Sequence, residues 1–358
     1  MAREMGSGAR DARMDYAKAI GIVLVVYGHV ARGLMNAGMA PDSLWMEALD
    51  RSIYSFHMPL FFFLSGMSFS GSLARHGARS LLLGKVDTVL YPYVVWSLVQ
   101  GLAEAGLARF TNNHLPIYEV LALAWNPRAQ FWFLYALMPI FLLATLVREF
   151  ARGVRPWLLA ATFGLLYMVA GPLGSLWRVL ELVAYGGLYF ALGVVFDGHR
   201  DRLWRLLRAA VLPLGLLFLA VQTLLPEPRY EQGGLAALEA AVVATLSIGF
   251  VLAVTTWIAR PGPRWLETLG RQSMPIYLMH VLAASGARIV LSRVFGVHDL
   301  AVQLGVGVAV GVGVPLALQA LFIERWAPFL MVPPAALSVA RFGRRAAPAA
   351  TAPSERRA

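Results

Sequence analysis

The sequence predicts an all-α protein that crosses a membrane many times. Hydrophobic residues make up 58% of the 358 residues, and charged residues make up only 14%. A soluble domain carries roughly 25% charged residues, so much of this surface must face lipid. About ten apolar segments are long enough to span a bilayer, and only short loops separate them. Because lipid offers no hydrogen-bond partners to a backbone, these segments must be helices.

The predicted spans divide the chain into three parts. The segments lie at about 16–36, 53–73, 86–107, 130–147, 157–173, 178–197, 208–225, 236–258, 273–294 and 300–322. We expect a short N-terminal segment (1–15), a ten-helix membrane domain (16–325) and a basic tail (326–358), whose Ala- and Pro-rich composition predicts disorder. The first apolar stretch is long enough to span, so we interpret it as a retained helix and not a cleaved signal peptide.

The basic residues predict the orientation and the compartment. With the N-terminus in the cytoplasm, most of the 31 basic residues fall on the cytoplasmic side of the ten helices, which predicts that both termini are cytoplasmic. The net charge of +11 comes from these short clusters, so nucleic-acid binding is not predicted. Arginine greatly outnumbers lysine, which is typical of a high-GC bacterial gene and favours a multi-pass protein of the bacterial inner (cytoplasmic) membrane.

No metal site or soluble-enzyme motif is predicted. Cysteine is absent, so Cys-ligated metals and Cys nucleophiles are excluded. The sequence has no P-loop, no HExxH and no nucleophile elbow, and its histidines lack metal-ligand spacing. The chemistry must therefore come from polar residues inside the spans, which are costly there and usually face a cavity or a partner.

The first helix carries the most informative polar stripe. Asp15, Lys18 and His29 fall on one helix face, at 100° per residue. Lys18 and His29 are separated by ~16 Å along the axis, and Gly28 leaves room for another group beside His29. The alternative interpretation is a pair of end charges that reach the interface, together with a histidine that only packs.

Three further helices carry candidate binding residues. His57 lies near the outer interface of the second helix, ahead of Pro59. Ser65 and Gly66 follow in the same helix, where a small-residue packing seam is the favoured explanation. Trp132 and Tyr135 open the fourth helix, as an aromatic belt or as faces for a sugar ring. Ser273, Tyr277 and His280 form a polar stripe on the ninth helix, which an interhelical hydrogen-bond network would also explain.

These residues resemble a known family of membrane enzymes. The pattern of Asp15, Lys18 and His29, an acid and a base followed by ten residues and a histidine, is similar to the opening motif of acyltransferase family 3. The run 55–66 resembles the second helix of its fucose 4-O-acetylase-like branch, and 131–134 and 270–280 resemble later blocks. Lys18 departs from the arginine that is frequent in the wider family; it keeps the charge but loses bidentate geometry.

The resemblance implies an acyl transfer reaction. It implies a cytoplasmic acyl-CoA donor, usually acetyl-CoA, and an acceptor hydroxyl on a saccharide, glycan or glycolipid. It also marks His29 as essential and Lys18 as important.

We therefore expect the following roles. His29 is the general base, with Asp15 as a second catalytic residue, while Lys18, Lys85 and Arg13 bind the phosphates of acetyl-CoA at the inner mouth. The acceptor-binding residues are expected to be His57, Ser65, Trp132, Tyr135, Tyr277 and His280. A covalent acetyl-histidine relay stays open. The rival function is a transporter or flippase that exports a saccharide or a lipid-linked glycan, since a fold alone does not fix function.

Overall fold

The computed structural model describes residues 11–40, 44–106, 117–150, 156–170, 178–225, 230–259 and 262–345. The helices in these ranges are α1 (Ala12–Asn36), α2 (Leu44–Lys85), α3 (Tyr91–Gly106), α4 (Ile117–Leu121), α5 (Trp132–Phe150), α6 (Pro156–Ala170), α7 (Arg178–Gly198), α8 (Arg200–Ala209), α9 (Val211–Leu224), α10 (Gly234–Ile258), α11 (Arg264–Arg271), α12 (Ser273–Arg293), α13 (Leu300–Leu318), α14 (Glu324–Trp326) and α15 (Val339–Arg345). Two π-helical segments, Val86–Leu90 and Gln319–Ile323, follow α2 and α13 directly. No strand occurs in these ranges, so the predicted all-α class is confirmed.

Several helices are able to cross a membrane. Within the described ranges, seven are long and apolar enough, and the pair α8–α9, bent by 78°, would make an eighth. One of the seven runs from Leu44 to Gly106 and is broken at Gly77, whose φ of 72° lies outside the helical region. The helix α6 is apolar but shorter. The multi-pass membrane architecture is thus confirmed, while the count of ten and the cytoplasmic termini stay predictions.

The first helix lies at the centre of the bundle. It contacts α2, α10, α11, α12 and α13. Its apolar residues Ile22, Val25 and Val26 are at most 1% exposed. This central position fixes the side chains at both ends of α1 against several neighbouring helices.

A second close contact joins α2 to α7. A methyl group at Gly66 would lie 1.9 Å from the carbonyl oxygen of Phe190, so only glycine allows the two backbones to approach this closely. Small residues are the usual means of close packing between membrane helices. The packing interpretation of Gly66 is therefore confirmed.

The segment after α14 folds back onto the start of α3. Three sets of hydrogen bonds hold it: Tyr91 Oη donates to the Phe329 carbonyl at 2.7 Å, Trp96 Nε1 donates to the Leu330 carbonyl at 2.9 Å, and the Asp87 carboxylate accepts from Ser338 Oγ at 2.7 Å and from the Val339 amide at 3.0 Å. The structure thus places this part of the predicted tail against the bundle as far as Arg345. Residues 346–358, and residues 1–10 at the other terminus, lie outside the described ranges.

Candidate functional site

A cavity of about 1190 Å³ opens at the end of the bundle where α1 ends and α2 begins. Side chains from α1, α2, α3, α5, α7, α12 and α13 line it, with contributions from Arg128 and from the short 3₁₀ helices Ala129–Phe131 and Tyr230–Gln232. Four of the residues predicted from the sequence lie in its wall: His29, His57, Trp132 and Tyr277. The fold therefore brings together residues from four separate parts of the chain. We call this space the His29 cavity.

His29 is in contact with two other rings. Its ring centroid lies 5.1 Å from that of His280 and 6.4 Å from that of Tyr54. A methyl group at Gly28 would lie 2.9 Å from the Tyr54 ring. The prediction that Gly28 admits another group beside His29 is confirmed, and that group is Tyr54.

His280 lies behind His29 and is completely buried. Its Nδ1 lies 3.0 Å from the carbonyl oxygen of Ile276 and 2.9 Å from that of Tyr277. Because carbonyl oxygens only accept hydrogen bonds, Nδ1 carries the proton and Nε2 keeps a lone pair. This Nε2 is buried and has no hydrogen-bond partner among the described residues. An orphaned acceptor next to His29 calls for an explanation.

His57 has a fixed tautomer for the same reason. Its Nδ1 donates to the Ile53 carbonyl at 2.8 Å, and its ring packs edge-on against Tyr54 at 4.6 Å. The Arg32 guanidinium lies 3.1 Å from the centre of the Tyr54 ring and bonds Asp50 through two nitrogens. Tyr54 and Arg32 were not predicted; their spacing of three residues from His57 and His29 on the same helices is the signal that would have found them.

Buried amides build the wall next to α3. Tyr277 Oη donates to the carbonyl of Gln130, whose amide donates to Gln100 Oε1 at 2.7 Å. Gln100 in turn donates to Glu104 at 2.9 Å, and Glu104 pairs with Arg128. Both glutamines are 2% exposed. This network fixes the loop that places Trp132 in the cavity.

Tyrosines build the wall next to α7. The ring of Tyr185 lies 6.0 Å from Trp132 and 5.2 Å from Tyr230. Burial, reinforced by the neighbouring Tyr167, raises the pKa of Tyr230 above its ordinary value, so this phenol stays protonated. Nothing in the sequence marks Tyr185 or Tyr230, because they come from distant segments that meet only in the folded bundle.

Three predicted acceptor-binding residues do not line the His29 cavity: His280, which lies behind His29, and the more distant Ser65 and Tyr135. Ser65 Oγ donates to the Phe61 carbonyl of its own helix at 2.8 Å. Tyr135 Oη donates to the Ala124 carbonyl at 3.0 Å. Neither side chain lines the cavity, so the structure does not bring Ser65 or Tyr135 together with His29.

A charged cluster lies at the other end of α1. Asp15 is 1% exposed, and its carboxylate lies 3.7 Å from Lys18 Nζ and 3.7 Å from Arg271 Nε. A methyl group at Gly270 would lie 1.8 Å from the Asp15 carbonyl oxygen, so α11 packs directly on α1 here. We call these three charged residues, Asp15, Lys18 and Arg271, the Asp15 cluster. Because α1 is continuous, Asp15 lies ~21 Å along the axis from His29, and the two cannot act on the same atoms.

The other two predicted donor-binding residues have partners of their own. Lys85 Nζ lies 4.3 Å from the centre of the Phe141 ring and within electrostatic range of Lys18. Arg13 pairs with Asp11 at 2.8 Å and lies over the Trp204 ring. Lys18 and Lys85 are thus brought together, whereas the Arg13 guanidinium is held by residues outside the Asp15 cluster.

Comparison with known proteins shows the family to which the chain belongs. Residues 11–320 match the profile of the acyltransferase domain of acyltransferase family 3. The chain belongs to this family. The match covers both ends of α1 and all helices that line the His29 cavity. The finer resemblance to the fucose 4-O-acetylase-like branch stays a prediction.

Two curated proteins are distant relatives of this acyltransferase. Nodulation protein NolL of Sinorhizobium fredii is 28% identical over 191 residues, which is 53% of this chain and 50% of the relative. Nodulation protein NolL of Mesorhizobium japonicum is 29% identical over 192 residues, 53% of this chain and 49% of the relative. The matched region therefore spans about half the length of these relatives. No solved structure matches the chain.

Proposed function

We propose that this acyltransferase moves an acetyl group, or another short acyl group, from acyl-CoA to a hydroxyl of a saccharide or glycolipid in the bacterial inner membrane. The observation that carries the proposal is the placement of His29 in the wall of a cavity lined by histidines, tyrosines and a tryptophan. Family membership supplies the reaction class. The aromatic wall offers the flat apolar faces against which a sugar ring packs.

The proposed chemistry is a direct transfer with His29 as general base. Neutral His29 takes the proton of the acceptor hydroxyl while the hydroxyl oxygen attacks the thioester carbonyl carbon. The carbon–sulfur bond breaks, the new ester bond forms, and the CoA thiolate takes the proton back from His29. General-base catalysis of this kind typically contributes ~10²–10⁴-fold.

His280 has a defined part in this proposal. When His29 gains a proton, both of its ring nitrogens carry N–H groups and each needs an acceptor. The buried Nε2 lone pair of His280, beside His29 and without a partner among the described residues, supplies one. His280 is therefore proposed to orient His29 and to stabilise its protonated form.

The donor is proposed to bind at the Asp15 cluster. Lys18, with Lys85 nearby, meets the phosphates of acyl-CoA, and Asp15 holds Lys18 in position. The acyl arm then runs ~16 Å along α1 to His29. It passes Gly21, where the ring of Phe61 lies 3.0 Å from the position of a methyl group. The Phe61 side chain must turn aside to admit the thioester.

The decisive experiment measures transfer of labelled acetyl from acetyl-CoA by the purified protein in nanodiscs, against a panel of saccharide acceptors. Wild type, His29→Ala and His76→Ala are compared. His76 is the matched control because it is an exposed histidine, bonded to its own helix at the Ser72 carbonyl and remote from the cavity wall. We expect acceptor-dependent label on a hydroxyl for wild type and His76→Ala, and a loss of ~10²-fold or more for His29→Ala.

Two results would overturn the proposed function or the role of His29, and a third would replace the proposed mechanism. Full transfer by a folded His29→Ala protein would remove His29 from the chemistry. A wild-type protein that neither binds nor turns over acetyl-CoA would favour the transporter. Label retained on His29 after the acceptor is omitted would replace the direct transfer with the acetyl-histidine relay.

A further inference from the structure

Four arginines line the His29 cavity, and one of them differs from the others. Three are neutralised by carboxylates: Arg32 with Asp50 at 2.9 Å, Arg128 with Glu104 at 3.2 Å and Arg178 with Glu181 at 2.8 Å. Arg288, on α12, has no carboxylate within 4.0 Å among the residues that the structure describes. Of the four arginines, Arg288 is therefore the one whose positive charge is not neutralised by a described carboxylate.

Within the described residues, the Arg288 side chain makes one hydrogen bond, which explains its position but leaves most of its donors unused. Its Nη1 donates to the Gly33 carbonyl at 2.9 Å, a common way for a cation to stabilise the last turn of a helix. A guanidinium has five N–H donors, so this bond leaves the rest of the fork available at the cavity wall. Glu231, an acidic lining residue, follows Tyr230 in the tyrosine wall and makes no ion pair with Arg288 within 4.0 Å.

The position of Arg288 relative to His29 suggests what it could bind. Gly33 lies one helical turn beyond His29, so the guanidinium is bonded ~6 Å further along α1. This distance is about the width of a sugar ring. An acceptor whose hydroxyl reaches His29 therefore extends a neighbouring substituent toward Arg288. A planar guanidinium matches a carboxylate or a phosphate better than any neutral group.

We propose that Arg288 forms a subsite for an anionic substituent, a carboxylate or a phosphate, on the acceptor saccharide. This inference rests on the proposed function, because it assigns the class of acceptor to the same cavity. The ring of the saccharide packs against Trp132 and Tyr185, its hydroxyl faces His29, and its negative group bonds Arg288. The acceptor is thus an acidic saccharide or a sugar phosphate.

The test measures occupancy of the cavity without requiring transfer. Diethyl pyrocarbonate acylates imidazole rings, and mass spectrometry reads the rate at His29. The protein in phosphatidylcholine nanodiscs is protected with methyl β-D-glucuronide, glucose 6-phosphate or neutral methyl β-D-glucoside. We expect the two anionic probes to protect wild-type His29 at about tenfold lower concentration than the glucoside, as for one charge-assisted contact.

Three variants locate the effect. In Arg288→Gln the preference for anionic probes should be lost, so that all three probes protect His29 at the same concentration. Arg178→Gln, which removes a neutralised arginine from the same cavity, should keep the preference. Arg288→Lys, which keeps the charge and can still bond the Gly33 carbonyl, should show a reduced preference and replaces Arg288→Gln if that variant does not fold.

Several outcomes would overturn the subsite. These are equal protection by all three probes in wild type, an unchanged preference in Arg288→Gln, or an equal loss in Arg178→Gln. If phosphatidylglycerol in the nanodisc protects His29 without any sugar and only when Arg288 is present, the site holds a lipid headgroup and the acceptor assignment fails. Because protection is measured without acetyl-CoA, a protein that binds the anionic probes but transfers no acetyl group contradicts the proposed function alone.

Discussion

The two ends of α1 carry polar residues on the same helical face, but the surroundings of these residues differ. At one end, His29 lies in the wall of a cavity of about 1190 Å³. At the other end, Asp15 is 1% exposed, with α11 packed directly on its backbone. The first end provides open space beside the His29 ring, and the second end provides a buried carboxylate that lies close to two cations.

The difference follows from what each half of the proposed reaction requires. A general base needs a substrate within hydrogen-bond reach, so it must border an open space. A lysine that meets phosphates needs a fixed position, and a buried carboxylate 3.7 Å away supplies it. In the proposed reaction, the first helix separates the acceptor site from the donor site along one axis, and the following predictions test that separation.

The strongest test beyond His29 itself concerns His280. Replacing it with leucine removes the acceptor for the second N–H of protonated His29 and should lower kcat by ~10–100-fold, the value of a hydrogen bond to a charged group, with little change in either KM. His280→Gln, whose amide oxygen can replace the Nε2 lone pair, should restore part of kcat and shift its pH profile. An equal loss in both variants, with unchanged pH profiles, would indicate a purely structural role.

A smaller effect is expected at the Asp15 cluster. Lys18→Ala should raise the KM for acetyl-CoA by about tenfold and leave the KM for the acceptor unchanged, because Lys18 belongs to the proposed donor site alone. Lys18→Arg should retain near wild-type donor affinity. Arg79→Ala, an exposed cation on α2, serves as the control for general loss of charge. A change in acceptor KM for Lys18→Ala would break the separation of the two ends.

Two glycines on α1 offer a matched comparison of packing. A methyl group at Gly28 would meet the Tyr54 ring at 2.9 Å, whereas a methyl group at Gly33 would meet nothing within 4 Å. Gly28→Ala should therefore destabilise the protein by ~1–3 kcal/mol through overpacking and reduce transfer several-fold as Tyr54 shifts. Gly33→Ala should be neutral or stabilising by up to about 1 kcal/mol. Thermal unfolding in detergent checks both, and equal melting temperatures would contradict this reading of the His29 wall.

The smallest effects are expected for Ser65 and Tyr135, which neither line the cavity nor contact His29. Ser65→Ala and Tyr135→Phe each remove one hydroxyl that bonds a nearby backbone carbonyl. Each should change kcat/KM for the acceptor by less than about twofold, since neither touches the cavity and one such bond contributes only ~1 kcal/mol to stability. Trp132→Ala, measured in the same assay, should raise the acceptor KM clearly. A large effect at Ser65 or Tyr135 would extend the site beyond the His29 cavity.

The sequence could predict what depends on helical period and composition. The common face of Asp15, Lys18 and His29 follows from a repeat of 3.6 residues, and the spans follow from the apolar runs. The environment of those residues could not be predicted in the same way. Arg288 and Tyr185 line the cavity only because α12 packs on α1 and α7 packs on α2 in the folded bundle. The Ser65 hydroxyl bonds a carbonyl of its own helix and not a group in the cavity, because backbone carbonyls close in sequence compete for serine hydroxyls.

The bonds between Asp87 and the segment before α15 have a consequence for how the chain is made. Asp87 precedes its partners Ser338 and Val339 by 251 and 252 residues, so a ribosome adds these partners long after it adds Asp87. The early helices can enter the membrane long before these partners exist. The start of α3 therefore reaches its final state only after residues 338 and 339 have left the ribosome, and a message that stops before residue 338 would yield a bundle whose buried carboxylate never meets these partners.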